Sequence, residues 1–326
     1  MKKIGYIIAG FGGPRDLKEV FPFLQSLLTD QEIIRTKLPK IIHRLLFTRI
    51  AKKRSKKLSM DYETIGGKSP IFADTEALKH SLSRHLKGPI ITFHRYLPAT
   101  HNDFIHAAHN LQCDEIRVFP LFPQFTYATT GSVALWFQQH LPPTIVNKMR
   151  WVKSYPTHPG FVKAHQNSIR NFLQKHQLSQ KDTILLFSAH GLPRDFITKG
   201  DIYEDECQAS FNAVMKAFPD TIGRLSYQSK FGPGEWLRPY TNDMCQQINS
   251  WKEERTNIVF VPISFTSDHI ETLFEIEQEY MSIIKEKNLR PYRIPCLTLN
   301  PDWVQAISII LTEAELCNNQ MLVRHI

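Results

Sequence analysis

Short apolar runs recur along the 326-residue chain at intervals that predict a mixed α/β protein. Each run has the length of a buried strand, and the segments between them repeat apolar positions with the spacing of a helix. The predicted strands are residues 4–9, 89–93, 115–119, 148–153, 183–188, 222–227, 257–263 and 292–297. The predicted helices are residues 72–86, 101–112, 131–140, 158–176, 204–218, 241–252, 268–287 and 302–317. This alternation is typical of βαβ units, so the sheets are expected to be mainly parallel.

The strands divide evenly between two halves of the chain, which predicts two similar α/β domains. A chain of this length is expected to hold about two domains of ~150 residues each. We place the N-terminal domain at residues 1–150 and the C-terminal domain at residues 151–326. The last predicted helix is a candidate for packing back onto the N-terminal domain.

Positive charge is concentrated in one segment. The formal net charge is +9, and eight of the 40 basic residues lie between Lys40 and Lys57, where there is no acidic residue. Apolar residues within 38–58 repeat with helical spacing, which predicts an amphipathic helix with a basic end. Three interpretations of this segment stay open: a membrane-surface helix, a nucleic-acid patch, or the edge of a pocket whose arginines bind ligand carboxylates.

The cysteines indicate a reducing compartment. They are scattered along the chain at Cys113, Cys207, Cys245, Cys296 and Cys317. This spacing argues against a disulfide framework and against a metal held by cysteines. No apolar run approaches the ~18 residues that a membrane span needs. Because the chain enters its first strand directly, we expect no targeting segment and a cytoplasmic location.

Candidate reactive residues follow two of the predicted strands. His190 comes directly after strand 183–188, and residues 266–269 follow strand 257–263. In open α/β sheets, ligands bind beyond the carboxyl ends of the strands, so residues far apart in sequence can share a site. A histidine at a strand end often only stabilises a turn. Paired with a carboxylate, however, it forms an acid–base couple or two ligands of a metal.

Acidic residues line one face of the helix predicted after strand 257–263. Asp268 with Glu271 resembles a capping box at a helix start. Glu271, Glu275 and Glu279 follow at intervals of four residues, and such stripes are usually exposed to solvent. Like charges at this spacing repel one another, so an unbalanced stripe is also a candidate for guiding or holding a divalent cation.

Segments rich in aromatic residues, glycine and proline predict a large apolar pocket. They are residues 62–71, 93–98, 119–132 and 227–239. Ser69 and Arg95 are the polar groups available there to an anionic ligand. The stretch Gly10–Pro14 lacks the spacing of a dinucleotide-binding loop, and we interpret it as a tight turn that lets backbone approach a ligand.

These stretches, in this order, resemble the motifs of the ferrochelatases, which insert ferrous iron into a porphyrin. The matching stretches are GFGGP, IAKKRSKK, YETIGGKSPI, HRYLP, FPQFTYATTGS, LLFSAHGLP, YQSKFGPGEWL and VPISFTSDHIETLFEIE. They run from residue 10 to about residue 280, and the last is the most diagnostic. The resemblance implies a chelatase fold of two Rossmann-like α/β domains with parallel sheets flanked by helices. It also implies a porphyrin cleft between the domains, with segment 38–71 as its lip.

The resemblance assigns roles to individual residues. It implies that His190 and Glu271 form the central catalytic pair. The implied metal ligands are His190, Glu271, Asp268 and Glu275. The implied porphyrin-binding residues are Phe11, Arg54, Tyr62, Ser69, Arg95, Tyr96, Trp236 and Phe265. Two assignments stay open, because the histidine either accepts pyrrole protons or serves with the glutamate as a transient iron ligand.

The implied reaction is insertion of Fe²⁺ into protoporphyrin IX, with release of two protons, to give protohaem. Fe²⁺ is then a substrate, and no tightly bound cofactor is expected. Some family members bind an iron–sulfur cluster through a cysteine in the FPQ motif; Tyr127 occupies that position here, so no cluster is expected. The alternatives are a coproporphyrin III ferrochelatase and a non-catalytic porphyrin or metal carrier. No nucleic-acid partner is expected. Peripheral contact with the inner membrane face is expected through residues 38–58.

Overall fold

The computed structural model describes residues 2–324 and divides the chain into two compact units. Unit 1 extends to Ser154 and resumes at Val304, and unit 2 is Tyr155–Trp303. The second boundary falls inside a single helix, Pro301–Glu313. Each unit is built around its own sheet.

Within residues 2–324, the predicted apolar runs form eight of the nine strands. The strands are β1 (Ile4–Gly10), β2 (Ile90–His94), β3 (Glu115–Pro120), β4 (Met149–Val152), β5 (Thr183–His190), β6 (Ile222–Gln228), β7 (Asn257–Pro262), β8 (Arg290–Arg293) and β9 (Leu316–Cys317). The order in unit 1 is β2-β1-β3-β4-β9, and in unit 2 it is β6-β5-β7-β8. All pairings are parallel except that of β9 with β4. The expectation of mainly parallel sheets is confirmed.

Helices connect the strands. They are α1 (Val20–Leu28), α2 (Lys40–Thr64), α3 (Ile71–Leu82), α4 (His101–His109), α5 (Ser132–His140), α6 (Pro143–Val146), α7 (Pro159–Lys175), α8 (Arg194–Thr198), α9 (Tyr203–Met215), α10 (Thr241–Gln246), α11 (Met281–Glu286) and α12 (Pro301–Glu313). Two π-helical segments, Tyr127–Gly131 and Glu271–Tyr280, lead directly into α5 and α11. The helices of residues 2–324 include none with the length and hydropathy of a membrane span.

The central strands of unit 2 are buried along almost their whole length. All residues of β7 and all of β5 except His190 are buried, which is typical of a parallel strand covered on both faces. Ile276 and Tyr280 of the second π-helical segment pack with Ile184 and Phe260 of the sheet in one apolar cluster. This packing fixes the segment that carries Glu271 and Glu275 to the strand that carries His190.

Several predicted elements differ at their ends. The strand predicted at 292–297 instead spans Arg290–Arg293. It ends at Arg293, whose guanidinium donates to Glu277 and Asp268. The helix predicted at 302–317 ends at Glu313, and Leu316–Cys317 instead pairs antiparallel with β4. A two-residue strand has no period that a sequence pattern could reveal. The helix predicted at 241–252 ends at Gln246 and is followed by a short 3₁₀ turn, Ile248–Ser250.

The basic segment forms a helix, as predicted, and this helix, α2, extends further, to Thr64. The expected amphipathic character is not seen, because the apolar and basic side chains of α2 are separated along its length and not on two faces. Its apolar side chains are largely exposed instead of packed against the unit. The exposed fraction is 76% for Ile41 and 59% for Leu45. The helix therefore presents an apolar surface near its start and a basic one further along.

Candidate active site

His190 and Glu271 lie together at the carboxyl end of the unit 2 sheet. His190 is the last residue of β5, and Glu271 begins the π-helical segment that follows the neighbouring strand β7. The Nε2 atom of His190 lies 3.6 Å from Oε1 of Glu271. About a quarter of each side chain is exposed, with values of 29% and 26%. Two residues 81 positions apart in sequence thus meet at a solvent-accessible edge, where α/β sheets bind ligands.

The imidazole of His190 is held in a defined orientation by its own turn. Its backbone N–H donates to Oγ of Ser264 at 2.9 Å, and its Nδ1 lies 2.5 Å from the carbonyl oxygen of Gly191. A carbonyl oxygen only accepts, so Nδ1 carries the hydrogen. In the neutral ring, Nε2 is then the unprotonated nitrogen, and it lies 3.6 Å from Oε1 of the Glu271 carboxylate. Two acceptors at this distance favour a proton or a cation between them.

The Glu271 carboxylate is flanked by a second histidine. Its Oε2 lies 3.4 Å from Nε2 of His269. Burial alone would raise the pKa of Glu271, but the nearby His190 and His269 and a hydrogen bond from Ser229 lower that pKa to about 2. The carboxylate is therefore charged at neutral pH. His269 was expected near the site only as one of residues 266–269 that follow strand 257–263, and the resemblance assigned it no role.

Asp268 supports the start of the π-helical segment. Its Oδ1 accepts from Oγ1 of Thr272 at 2.9 Å and from Nη1 of Arg293 at 2.6 Å. Arg293 also donates to Glu277, at 2.7 Å. These contacts differ from a capping box, in which the Glu271 side chain would accept from the backbone N–H of Asp268. The Asp268 carboxylate instead binds the Thr272 hydroxyl and the Arg293 guanidinium.

Glu275 accepts a full set of protein donors. They are Nε2 of Gln228 at 2.9 Å, the backbone N–H of Ser229 at 2.8 Å, Oγ of Ser229 at 2.5 Å, and the hydroxyl of Tyr280. Within residues 2–324, no group of three or more histidine, cysteine or acidic side chains is arranged to hold a metal ion. Metal binding by Asp268 and Glu275 stays a prediction, and it would require these bonds to be exchanged for bonds to the metal.

Two of the predicted porphyrin-binding residues lie near the His190 turn in unit 2. The ring centroid of Phe265 is 6.5 Å from that of His190 and 4.6 Å from that of His269. Trp236 is only 4% exposed and pairs with Pro193 in a short β-bridge. Phe265 is half-buried and close to both imidazoles, so it could contact a ligand at His190, whereas the buried Trp236 packs beside Gly191.

The other predicted porphyrin-binding residues belong to unit 1, where two of them share a buried acid. The hydroxyl of Tyr96 and Nη2 of Arg95 both donate to Oδ2 of Asp30, at 2.8 and 2.7 Å. The Tyr96 ring is fully buried and packs edge-on against Phe11, with centroids 4.6 Å apart. Asp30 was not predicted, because no local sequence pattern links it to Arg95 and Tyr96.

The remaining three differ in exposure. Ser69 is 3% exposed, and its backbone N–H donates to the carbonyl of Pro14. Tyr62 is 1% exposed, whereas Arg54 on the same helix is exposed. Of these three, Arg54 presents its side chain to solvent, where it could contact an anionic group.

Known proteins match the chain over nearly its whole length. The family model described as Ferrochelatase matches residues 3–315. The chain is 43% identical to a ferrochelatase of Chlamydia caviae over 319 residues, covering 98% of both proteins. It is 42% identical to a ferrochelatase of Chlamydia pneumoniae over 308 residues, covering 94% of this chain and 92% of the relative.

Solved structures of similar fold are more distant in sequence. SirB from Bacillus subtilis, solved with Fe³⁺, matches with a TM-score of 0.56 and 13% identity, over 96% of each chain. CbiX, described as the terminal enzyme of sirohaem biosynthesis in denitrifying bacteria, matches with a TM-score of 0.53 and 13% identity, over 96% of this chain and 99% of that one. At this identity the likeness shows the fold alone, which is that of the chelatases.

Proposed function

The chain belongs to the ferrochelatase family, and from this premise we propose that it inserts Fe²⁺ into a porphyrin for haem synthesis. It is a metal chelatase, an enzyme of the lyase class. The observation that carries the proposal is the pair formed by His190 and Glu271, whose acceptor atoms lie 3.6 Å apart at the carboxyl end of the unit 2 sheet.

The reaction requires a proton acceptor. Two pyrrole N–H bonds break, the two protons leave, and the ring nitrogens bind Fe²⁺ in their place. We assign Nε2 of His190 as the acceptor of each proton in turn, with the first released to solvent before the second is taken. Nδ1 is engaged by the Gly191 carbonyl, which leaves Nε2 as the unprotonated nitrogen, and 29% of the side chain is exposed. The imidazolium that forms is stabilised by the charged carboxylate of Glu271.

An alternative role for the pair is transient binding of Fe²⁺, for which one nitrogen and one oxygen ligand are suitable. The two roles predict different kinetics. Loss of a proton acceptor lowers kcat, whereas loss of a metal ligand raises the KM for Fe²⁺.

The porphyrin that we propose as substrate is protoporphyrin IX, which carries two carboxylates, and the alternative is coproporphyrin III, which carries four. The porphyrin-binding assignments made from the resemblance remain part of the proposal. Phe265 is supported by its partial exposure and by its closeness to His190. For Tyr62 and Tyr96, burial favours a role in shaping the pocket wall over direct contact.

The test is an anaerobic absorbance time course of the purified protein with Fe²⁺ and each porphyrin in turn. We expect the free-porphyrin spectrum to be replaced by that of protohaem at a rate proportional to protein concentration. Faster turnover of coproporphyrin III would assign that substrate instead. Stoichiometric binding without turnover of either porphyrin would refute the enzymatic function and indicate a carrier.

Fe²⁺ is the substrate in this proposal, and no resident cofactor is required for its chemistry. Tyr127 stands at the motif position that holds a cysteine in cluster-binding relatives, and the cysteines are scattered along the sequence. These sequence features support our proposal of a cytoplasmic enzyme without an iron–sulfur cluster. Iron analysis of the purified protein tests this, because bound iron and sulfide in stoichiometric amounts would contradict it.

We also propose that α2 contacts the inner membrane face. Its start exposes Ile41 and Leu45, and the basic residues between Lys52 and Lys57 follow on the same helix, where they can bind anionic lipid headgroups. Co-sedimentation with anionic vesicles should fall when Ile41 and Leu45 are both replaced by serine. The matched control is Leu299→Ser, which changes an exposed leucine outside the helix. Equal loss in both variants would contradict the proposal.

A further inference from the structure

Gln228 is a fully buried polar residue that connects the two halves of the candidate active site. It is the last residue of β6, is 1% exposed, and lies opposite His190 in the sheet register. Each polar atom of its side chain has a partner, and those partners come from different elements. A buried amide with all its bonds made fixes the relative position of the groups it joins.

On one side, Gln228 holds the strand and turn that carry His190. Its Oε1 accepts from Oγ of Ser188 at 2.6 Å, two residues before His190. Its backbone carbonyl accepts from the N–H of Gly191 at 2.8 Å, directly after His190. A side chain at Gly191 would place its Cβ 2.8 Å from that same carbonyl oxygen, so glycine is required for this close approach.

On the other side, Gln228 holds the segment that carries Glu271. Its Nε2 donates to the backbone carbonyl of Glu271 and to Oε2 of Glu275, both at 2.9 Å. The next residue, Ser229, has a φ of 61° and is kept in this left-handed conformation by two bonds to the Glu275 carboxylate. Glu275 thus anchors the β6 end to the π-helical segment.

We infer that Gln228 is a positioning residue for the chelation reaction, and that it sets the distance between His190 and Glu271. This inference rests on the proposed function. The amide joins β5 and the π-helical segment through a single rigid group, so the backbone positions of His190 and Glu271 cannot move apart without breaking one of its bonds. Glu275 acts in the same assembly as an anchor for Gln228 and Ser229.

The test is Gln228→Met in the full-length protein, which keeps a similar volume and removes both ends of the amide. We expect kcat for iron insertion to fall about 10- to 100-fold, because a misplacement of about 1 Å between reacting groups has effects of this size. The KM for porphyrin should stay within about twofold of the wild-type value, because the variant changes no residue assigned to porphyrin binding.

The matched control is Ser210→Ala. Ser210 lies in α9 of the same unit and is equally buried. Its hydroxyl donates to the backbone carbonyls of Pro156 and Glu206, at 2.9 and 3.0 Å. A comparable loss of thermal stability is expected, with kcat within about twofold of wild type. Equal kcat losses in the two variants at equal stability would overturn the inference, as would a Gln228→Met enzyme with wild-type kcat.

A second variant covers the case in which Gln228→Met does not fold. Ser188→Ala removes one buried hydroxyl and leaves the amide free at Oε1 while its bond to Glu271 is kept. We expect kcat to fall by about three- to tenfold with unchanged porphyrin KM, and wild-type kcat in this variant would overturn the inference. Failure of the proposed function would look different, because the wild-type protein itself would then insert no iron.

Discussion

Removing the negative charge of Glu271 is expected to lower kcat for iron insertion. Glu271→Gln keeps the shape of the side chain and removes the negative charge 3.6 Å from Nε2 of His190. At an effective dielectric of about 20, two unit charges at this distance interact by about 4 to 5 kcal/mol. About a quarter of each side chain is exposed, so we reduce this by roughly half for solvent screening. A loss of about 2 to 3 kcal/mol from the transition state corresponds to a 30- to 150-fold lower kcat.

The assay is anaerobic steady-state formation of haem, with porphyrin binding followed separately by fluorescence. We expect a lower kcat with porphyrin affinity and the KM for Fe²⁺ nearly unchanged. The control is Glu277→Gln in the same π-helical segment, where the carboxylate bonds Arg293 and is 36% exposed. It should retain kcat within about threefold.

Two results would refute this reasoning. A Glu271→Gln enzyme with a kcat within about threefold of wild type would show that the carboxylate does not stabilise a charge formed in the reaction. A raised KM for Fe²⁺ with unchanged kcat would instead assign Glu271 as a metal ligand and remove the charge-stabilising role.

Three further predictions concern the same unit. His190→Asn should lower kcat by about 10²- to 10⁴-fold with porphyrin binding retained, and the exposed His109→Asn, measured alongside, should not change it. Gly191→Ala should destabilise the protein by about 1 to 3 kcal/mol in urea unfolding, because its Cβ would lie 2.8 Å from the Gln228 carbonyl oxygen; an unchanged midpoint would contradict this. Burial lowers the pKa of His165 from 6.5 to about 3, so the unfolded chain binds a proton that the folded one resists, and stability should fall as pH drops from about 6.5 towards 3. Urea unfolding across this range should show a shallower pH slope in His165→Leu than in wild type.

The parts of the fold that sequence could predict are those in which one short segment carries its own signal. Residues 183–188 and 257–263 are mostly apolar because strands β5 and β7 are buried on both faces. The ends of both strands were predicted to within two residues. The rule that ligands bind at the carboxyl ends of parallel strands then placed His190 and the segment after β7 at one edge. The closeness of His190 and Glu271 follows from these two steps together with the family resemblance.

The parts that sequence could not predict depend on partners far away in the chain. Asp30 binds Arg95 and Tyr96 from 65 and 66 positions away, and Gln228 reaches Glu275 across 47. No helical or strand period relates such positions, since periodicity reports only which face of one element is apolar. The π-helical geometry of Glu271–Tyr280 was also missed, because its apolar spacing resembles that of an α-helix over so short a length.

Glu271 and Glu275 show why spacing alone could not assign the acidic stripe. They lie four residues apart, and the sequence treats them as equivalent members of one face. The structure gives Glu275 four donors from Gln228, Ser229 and Tyr280, so its negative charge is already compensated by protein hydrogen bonds. Oε1 of Glu271 instead faces the unprotonated nitrogen of His190. A carboxylate that accepts hydrogen bonds from protein donors on both oxygens, such as Glu275, stabilises the structure. A carboxylate close to another acceptor, such as Glu271 beside Nε2 of His190, can bind a proton or cation that the reaction brings between the two groups. The difference between an anchor and a reactive group is therefore set by the donors that the fold supplies to each, and β6 supplies them to Glu275.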